Sequence, residues 1–150
     1  MALAALDLAL KGWAVRGLGR GEAIDLWVIQ LRLAFNPGVA FSMGDTMPTW
    51  VLLGISGLVI AGLAIYAWRS ASSAPLVVRF AVAMVLGGAV ANFIDRARDG
   101  VVTDYLHTGW FPTFNGADVL IVVGATTLIL AILYAERERA RAEGSHDPAS

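Results

Sequence analysis

Cysteine is absent from all 150 residues, and that absence removes several chemistries at once. The chain can form no disulfide, use no thiol nucleophile and offer no thiolate to a metal or to acylation. Histidine is scarce as well: apart from the tail there is only His107, and no second His or Cys stands ready to complete a metal site with it. No metal and no other cofactor is expected. Charge is also sparse, at 15% of residues, and the 11 basic and 12 acidic side chains nearly cancel. A chain so balanced has no basic field of the kind nucleic-acid binding relies on, so a nucleic-acid partner is discounted. What the chain has in abundance is apolar residues, 57% of the total, with a mean hydropathy of +0.67. That is the composition of a membrane protein, and it makes membrane lipids a constant partner.

Residues 1–18 form an apolar run interrupted by Asp7, Lys11 and Arg16. On a helix, Asp7 and Lys11 share a face with the acid on the N-terminal side, an ion pair that lowers the cost of burying both. The run lacks the charge order and the cleavage site of a signal peptide, which predicts a retained first helix. Residues 19–48 are too polar to span, and the β-branched and aromatic residues at 24–35 predict a short sheet on the membrane surface. The block Asn36, Pro37, Gly38, Val39, Ala40, Phe41, Ser42 reads as a turn. Spans follow at about 49–68, 76–95 and 117–134, the first with Trp50, Tyr66 and Trp68 as interfacial anchors. Gly87 and Ala91 are a small pair one turn apart, suited to close helix approach. A charged extension and polar tail occupy 136–150. The reading is thus an all-α integral membrane protein in one domain, a four-transmembrane-helix bundle with a small sheet between helices 1 and 2. Arg69, Arg79, Arg137, Arg139 and Arg141 fall on the side of the termini, and Arg16, Arg20, Arg32, Arg96 and Arg98 on the side of the loops. That balance leaves the orientation open.

Polar chemistry is concentrated in residues 87–121, which hold Asn92, Asp95, Arg96, Asp104, His107, Asn115 and Asp118. Asp104 follows the third span and Asp118 opens the fourth, so antiparallel helices bring both to one membrane face. Two carboxylates in a partly dehydrated site share one proton; one activates water while the other donates to a carbonyl oxygen. The competing reading is that each Asp caps a helix or pairs with an Arg. Spacing leaves the two readings open. His107 reads as a solvated loop residue. Ser42 with Lys11 makes a poor nucleophile pair, because Lys11 already has Asp7 one turn away. Trp110 and Phe111 are candidates for a flap over the site.

In order along the chain, five blocks together resemble the lipoprotein signal peptidase (signal peptidase II) family. They are Asp7 with Lys11; the Asn36 to Ser42 block; Gly87, Gly88 and Ala89 with Asn92, Asp95 and Arg96; Gly100, Val101, Val102, Thr103, Asp104 and Tyr105; and Phe111, Pro112, Phe114, Asn115, Gly116, Ala117 and Asp118. The resemblance implies an intramembrane aspartic endopeptidase of the bacterial cytoplasmic (inner) membrane. Its substrates would be diacylglyceryl-modified prolipoproteins, cut on the N-terminal side of the lipidated cysteine. It implies Asp104 and Asp118 as catalytic residues, and Asn36, Asn92, Arg96 and Asn115 as residues that bind substrate or hold the dyad. Asp7 and Lys11 become a supporting pair, and Asp95 looks structural. The sheet becomes an extracytoplasmic β-cradle, with the active site near the outer face and both termini cytoplasmic. Three departures stand out: Ala91 where the family usually has Gly, Tyr105 where it usually has Phe, and only six residues before Asp7, fewer than the family normally shows. The reading kept alongside is a non-catalytic four-helix membrane protein, a proton relay or degenerate relative, in which the same charges conduct or brace.

Overall fold

A computed structural model describes residues 1–38 and 47–144, with side chains described through 142. Residues 39–42 of the turn block, Ser42 included, and the end of the tail lie outside the described residues. The elements follow as α1 (Ala2–Leu18), β1 (Ala23–Asp25), β2 (Gln30–Asn36), α2 (Thr49–Ser70), α3 (Leu76–Asp99), β3 (Val102–His107) and α4 (Gly116–Gly144).

Three of these helices are long and apolar enough to cross a membrane: Thr49–Ser70, Leu76–Asp99 and Gly116–Ala142. Pro48 and Pro75 stand directly before α2 and α3, where a missing N–H is no loss. Leu58, Phe80, Val122 and Leu130 point outward, the inverse of a soluble bundle, as expected where the surrounding solvent is lipid. α1 is shorter, at 17 residues, and buries Asp7 and Lys11 at 2% exposure each. It falls short of the length of the other three. α3 continues past the expected end at residue 95 to Asp99, where Gly100 adopts a left-handed φ of 76° and its N–H bonds the Arg96 carbonyl at 2.9 Å. α4 likewise runs past 134 through the charged extension.

α3 is central, packing against α1, α2 and α4. Small residues set these approaches. Gly87 faces Leu3 and Ala4 of α1, and Ala91 is fully buried with Ala4 and Ala117, so the small pair admits α1. A Cβ on Gly88 would collide with the Ala117 carbonyl, which fixes how closely α4 lies on α3.

The sheet is antiparallel in the order β1-β2-β3. β1 and β2 occupy the region expected from the sequence, but the third strand comes from between α3 and α4. The cause is local: after the Gly100 turn, Val102 and Thr103 are β-branched, and residues 102–107 find the free edge of β2. Both loops are therefore stitched into one sheet.

Candidate active site

Strand alternation decides what Asp104 faces. Ala34 pairs with Asp104 and Asn36 with Val102, so these four share one face of the sheet. They border a cavity of about 630 Å³, closed by Asn92 and Arg96 from α3, Asp118 and Ile121 from α4, and Phe111 and Phe114 from the connecting loop.

Asp118 enters the same cavity because of how α4 begins. Asn115 precedes the helix; its Oδ1 accepts the Asp118 N–H at 3.0 Å and its own N–H donates to Asp118 Oδ2 at 3.1 Å. This reciprocal pair is a capping box. The Asn115 side-chain amide then donates to Asp104 Oδ1 at 2.7 Å, and the residue is fully buried. One asparagine is hydrogen-bonded to both carboxylates. The capping role that spacing allowed for Asp118 is shared with Asn115, and the same asparagine also reaches Asp104.

Behind the carboxylates lies a buried charge network. Asn92 Nδ2 donates to Asp118 Oδ1 at 2.8 Å, while Asn92 Oδ1 accepts from Lys11 Nζ at 2.6 Å. The same ammonium pairs with Asp7 Oδ2 at 3.3 Å and with Asp95 Oδ2 at 3.2 Å. Asp95 also accepts the Thr103 N–H at 2.7 Å, tying α3 to β3 beside Asp104. At the cavity's other edge, Arg96 Nη2 donates to the Gly38 carbonyl at 2.6 Å, and Asn36 Oδ1 accepts the Gly38 N–H at 3.1 Å. Arg96 Nε is buried with no hydrogen-bond partner among the described residues.

Burial pushes the Asp104 carboxyl up to about 6, and the neighbouring Asp118 adds to the shift. Hydrogen bonds from Asn115 and Asn36 and the Lys11 charge oppose it. Such a group exchanges a proton near neutral pH, as acid–base chemistry requires. The Tyr105 hydroxyl is pushed up to about 12, chiefly by burial and then by Asp7, so it stays a protonated donor.

The structure thus brings Asn36, Asn92, Arg96, Asp104 and Asp118 around one cavity, Asn115 between the two Asp residues, and Asp7 with Lys11 behind. Asp95 is half of the Lys11 ion pairing. Of the two flap candidates, Phe111 lines the cavity, and Trp110 stands outside it at 85% exposure. His107 contacts Thr113 through Nδ1 at 3.3 Å and does not border the cavity. Sequence reasoning missed Tyr105, whose hydroxyl lies on Asp7 Oδ1 at 3.2 Å and accepts the Gly116 N–H at 3.1 Å. The one signal available was its standing where the family usually has Phe.

The family model for signal peptidase (SPase) II matches residues 1–134, which include every one of these side chains. The chain belongs to the signal peptidase II family. Curated relatives of the family extend over nearly the same region. A lipoprotein signal peptidase of Gloeobacter violaceus is 39% identical over 144 residues, covering 88% of this chain and 78% of that one. Another from Syntrophomonas wolfei is 37% identical over 132 residues, covering 85% of each. Two solved bacterial membrane enzymes share the fold. One, determined in meso at 2.3 Å, superposes with a TM-score of 0.78 at 23% identity, covering 88% of this chain and 83% of that one. The other, at 1.9 Å, gives 0.74 at 24% identity, covering 87% of each.

Proposed function

We infer that the chain is a lipoprotein signal peptidase, an aspartic endopeptidase of the bacterial inner membrane that removes signal peptides from prolipoproteins. Membership of the signal peptidase II family over residues 1–134 supports this activity. The assignment of Asp104 and Asp118 as the catalytic dyad rests above all on one observation: Asn115 bonds both carboxylates at a shared cavity.

In the proposed reaction the dyad carries one proton. Asp118 has a donor on each oxygen, Asn92 on Oδ1 and Asn115 on Oδ2, and is drawn as the carboxylate. It takes a proton from water as the water oxygen bonds to the scissile carbonyl carbon. Asp104, raised towards neutrality, gives its proton to the carbonyl oxygen. The proton held by Asp118 then passes to the leaving amine as the C–N bond breaks, and Asp104 recovers a proton as the carbonyl reforms. Asn36, Asn92, Arg96 and Asn115 hold substrate or dyad; Asp7 and Lys11 brace them. Arg96 lines the cavity and has one donor, the buried Nε, with no hydrogen-bond partner among the described residues, which in this reading a substrate carbonyl takes up on binding.

The bond cut is placed on the N-terminal side of a diacylglyceryl-modified cysteine. The chain is read as one domain with α1 as a fourth span, the sheet as an extracytoplasmic cradle, the site near the outer face, and both termini cytoplasmic with the tail from 136. A dyad at that depth needs its substrate held at that depth. Acyl chains supply about 0.8 kcal/mol per buried methylene, so they fix register better than short peptide contacts do. Purified protein in lipid is therefore expected to cleave the diacylglyceryl-modified prolipoprotein, in the presence of chelator, and to leave the unmodified precursor almost untouched. Equal cleavage of both would overturn the lipid-register argument. No cleavage by folded protein would favour the non-catalytic reading.

A further inference from the structure

Tyr105 follows Asp104 on β3, so alternation turns its side chain away from the cavity, and its ring packs beside Ala14 and Leu18 of α1. From there the hydroxyl reaches past the core to two other elements. It donates to Asp7 Oδ1 on α1 at 3.2 Å and accepts the Gly116 N–H at the start of α4 at 3.1 Å. Asp7 Oδ1 also accepts the Ala117 N–H at 2.9 Å. Glycine at 116 is what admits this junction: a Cβ there would lie 2.9 Å from the Tyr105 hydroxyl and 2.8 Å from Asp7 Oδ1. Tyr105 is 5% exposed, so bulk water does not replace these partners.

The junction lies one residue along the chain from Asp104 and two from Asp118. Asn115 links the two carboxylates directly, and the Tyr105 hydroxyl ties the residue after Asp104 to the backbone two residues before Asp118. We propose that Tyr105 is a positioning residue of the active site, its hydroxyl held against Gly116 and Asp7 so as to fix β3, and with it Asp104, at a set distance from the first turn of α4 and Asp118. The inference rests on the reading of those two residues as the dyad. Tyr105 does not border the cavity, so its loss acts on turnover and not on substrate affinity. Shifts of about 1 Å in such a site change rates by up to roughly a hundredfold.

The test uses full-length parent, Tyr105→Phe, Gly116→Ala and the double variant in lipid, assayed on diacylglyceryl-modified prolipoprotein per folded molecule. Tyr105→Phe is expected to lower kcat about tenfold with KM within about twofold. The pH limb due to Asp104 is also expected to move to lower pH, because Asp118 helps hold that proton and recedes from it. Lys11 and Arg96, the charged groups facing Asp104 from α1 and α3, are unaltered in these variants. In the double variant the loss is expected to be smaller than the product of the single losses, since both changes disrupt the same junction, one by removing the hydroxyl and the other by crowding it. Parent-like kcat and pH limb in Tyr105→Phe, or multiplicative losses, would overturn the proposal. Should Tyr105→Phe fail to insert, 3-fluorotyrosine at 105 keeps the shape and weakens the acceptor for Gly116. A smaller fall in kcat with the same direction of limb shift supports the proposal, and parent-like values overturn it. Asp104→Asn and Asp118→Asn run alongside: activity in either sinks the dyad reading, whereas inactive dyad variants beside a parent-like Tyr105→Phe sink only the role of Tyr105.

Discussion

Asn115 donates its side-chain amide to Asp104 Oδ1 at 2.7 Å while its side-chain oxygen takes the Asp118 N–H at 3.0 Å. Capping and site geometry are therefore carried by the same few atoms, and they can be separated by substitution. Serine at 115 keeps a capping oxygen but is too short to reach Asp104. Asn115→Ser is expected to retain most of the parent's thermal stability and to lose at least about tenfold in kcat. Thermal denaturation beside a cleavage assay checks both halves, and parent-like turnover would reduce Asn115 to a helix cap.

Asp104 gives a second separation, between activity and stability. Its folded value of about 6 lies above the ordinary carboxylate value, so between roughly pH 4 and 6 the folded state binds more protons than the unfolded state. Stability from this group is full below about pH 4 and declines as pH rises through 6. Asp104→Asn removes that decline. The variant is expected to process no substrate, yet to melt several degrees above the parent at pH 8, with the gap closing at pH 4. Asp118→Asn should be equally inactive. A melting difference independent of pH would contradict the burial argument for Asp104.

Sequence alone carried the three long apolar helices, because hydrocarbon thickness imposes a length that composition makes visible. It also carried Asp7 with Lys11, since two opposite charges one turn apart in an apolar run have few other uses. β3 was not legible. Val102–His107 is six residues with an Asp in the middle, and its partner strand lies some seventy residues earlier, so no local pattern announces the pairing. The resemblance made Asp95 structural, and its carboxylate does brace the bundle, meeting Lys11 from another helix at 3.2 Å; which partner it braces was not legible from its place in the chain. Tyr105 looked like a minor departure from Phe. What the extra hydroxyl reaches depends on Asp7 and Gly116, which only the fold assembles.

Lys11 neutralises carboxylates from two helices inside the bundle, Asp7 on its own and Asp95 on α3. Lys11→Met leaves both buried without a countercharge, and breaking a buried pair in this way costs about 3–5 kcal/mol. The expected result is a large loss of folded protein and a melting temperature well below the parent's. Adding Asp95→Asn removes one of the stranded charges and should restore part of the stability, though not the activity, because Asn92 has still lost the ammonium that orients it. A double variant no more stable than Lys11→Met alone would show that Asp95 gains nothing from the pairing.

Arg96 joins α3 to the end of β2 through a 2.6 Å bond from Nη2 to the Gly38 carbonyl, with Nε buried and unpartnered among the described residues, and the side chain lines the cavity. Lysine conserves the charge but has neither the planar fork nor the Nε donor, so it cannot serve both positions at once. If the second donor meets substrate, Arg96→Lys should raise KM as well as lower kcat, with a combined loss in kcat/KM of at least about tenfold. A purely structural tie to Gly38 would instead leave KM unchanged and lower the melting temperature. Kinetics on the lipid-modified precursor together with thermal denaturation distinguish the two, and parent-like values in both would make Arg96 a bystander at the rim of the site.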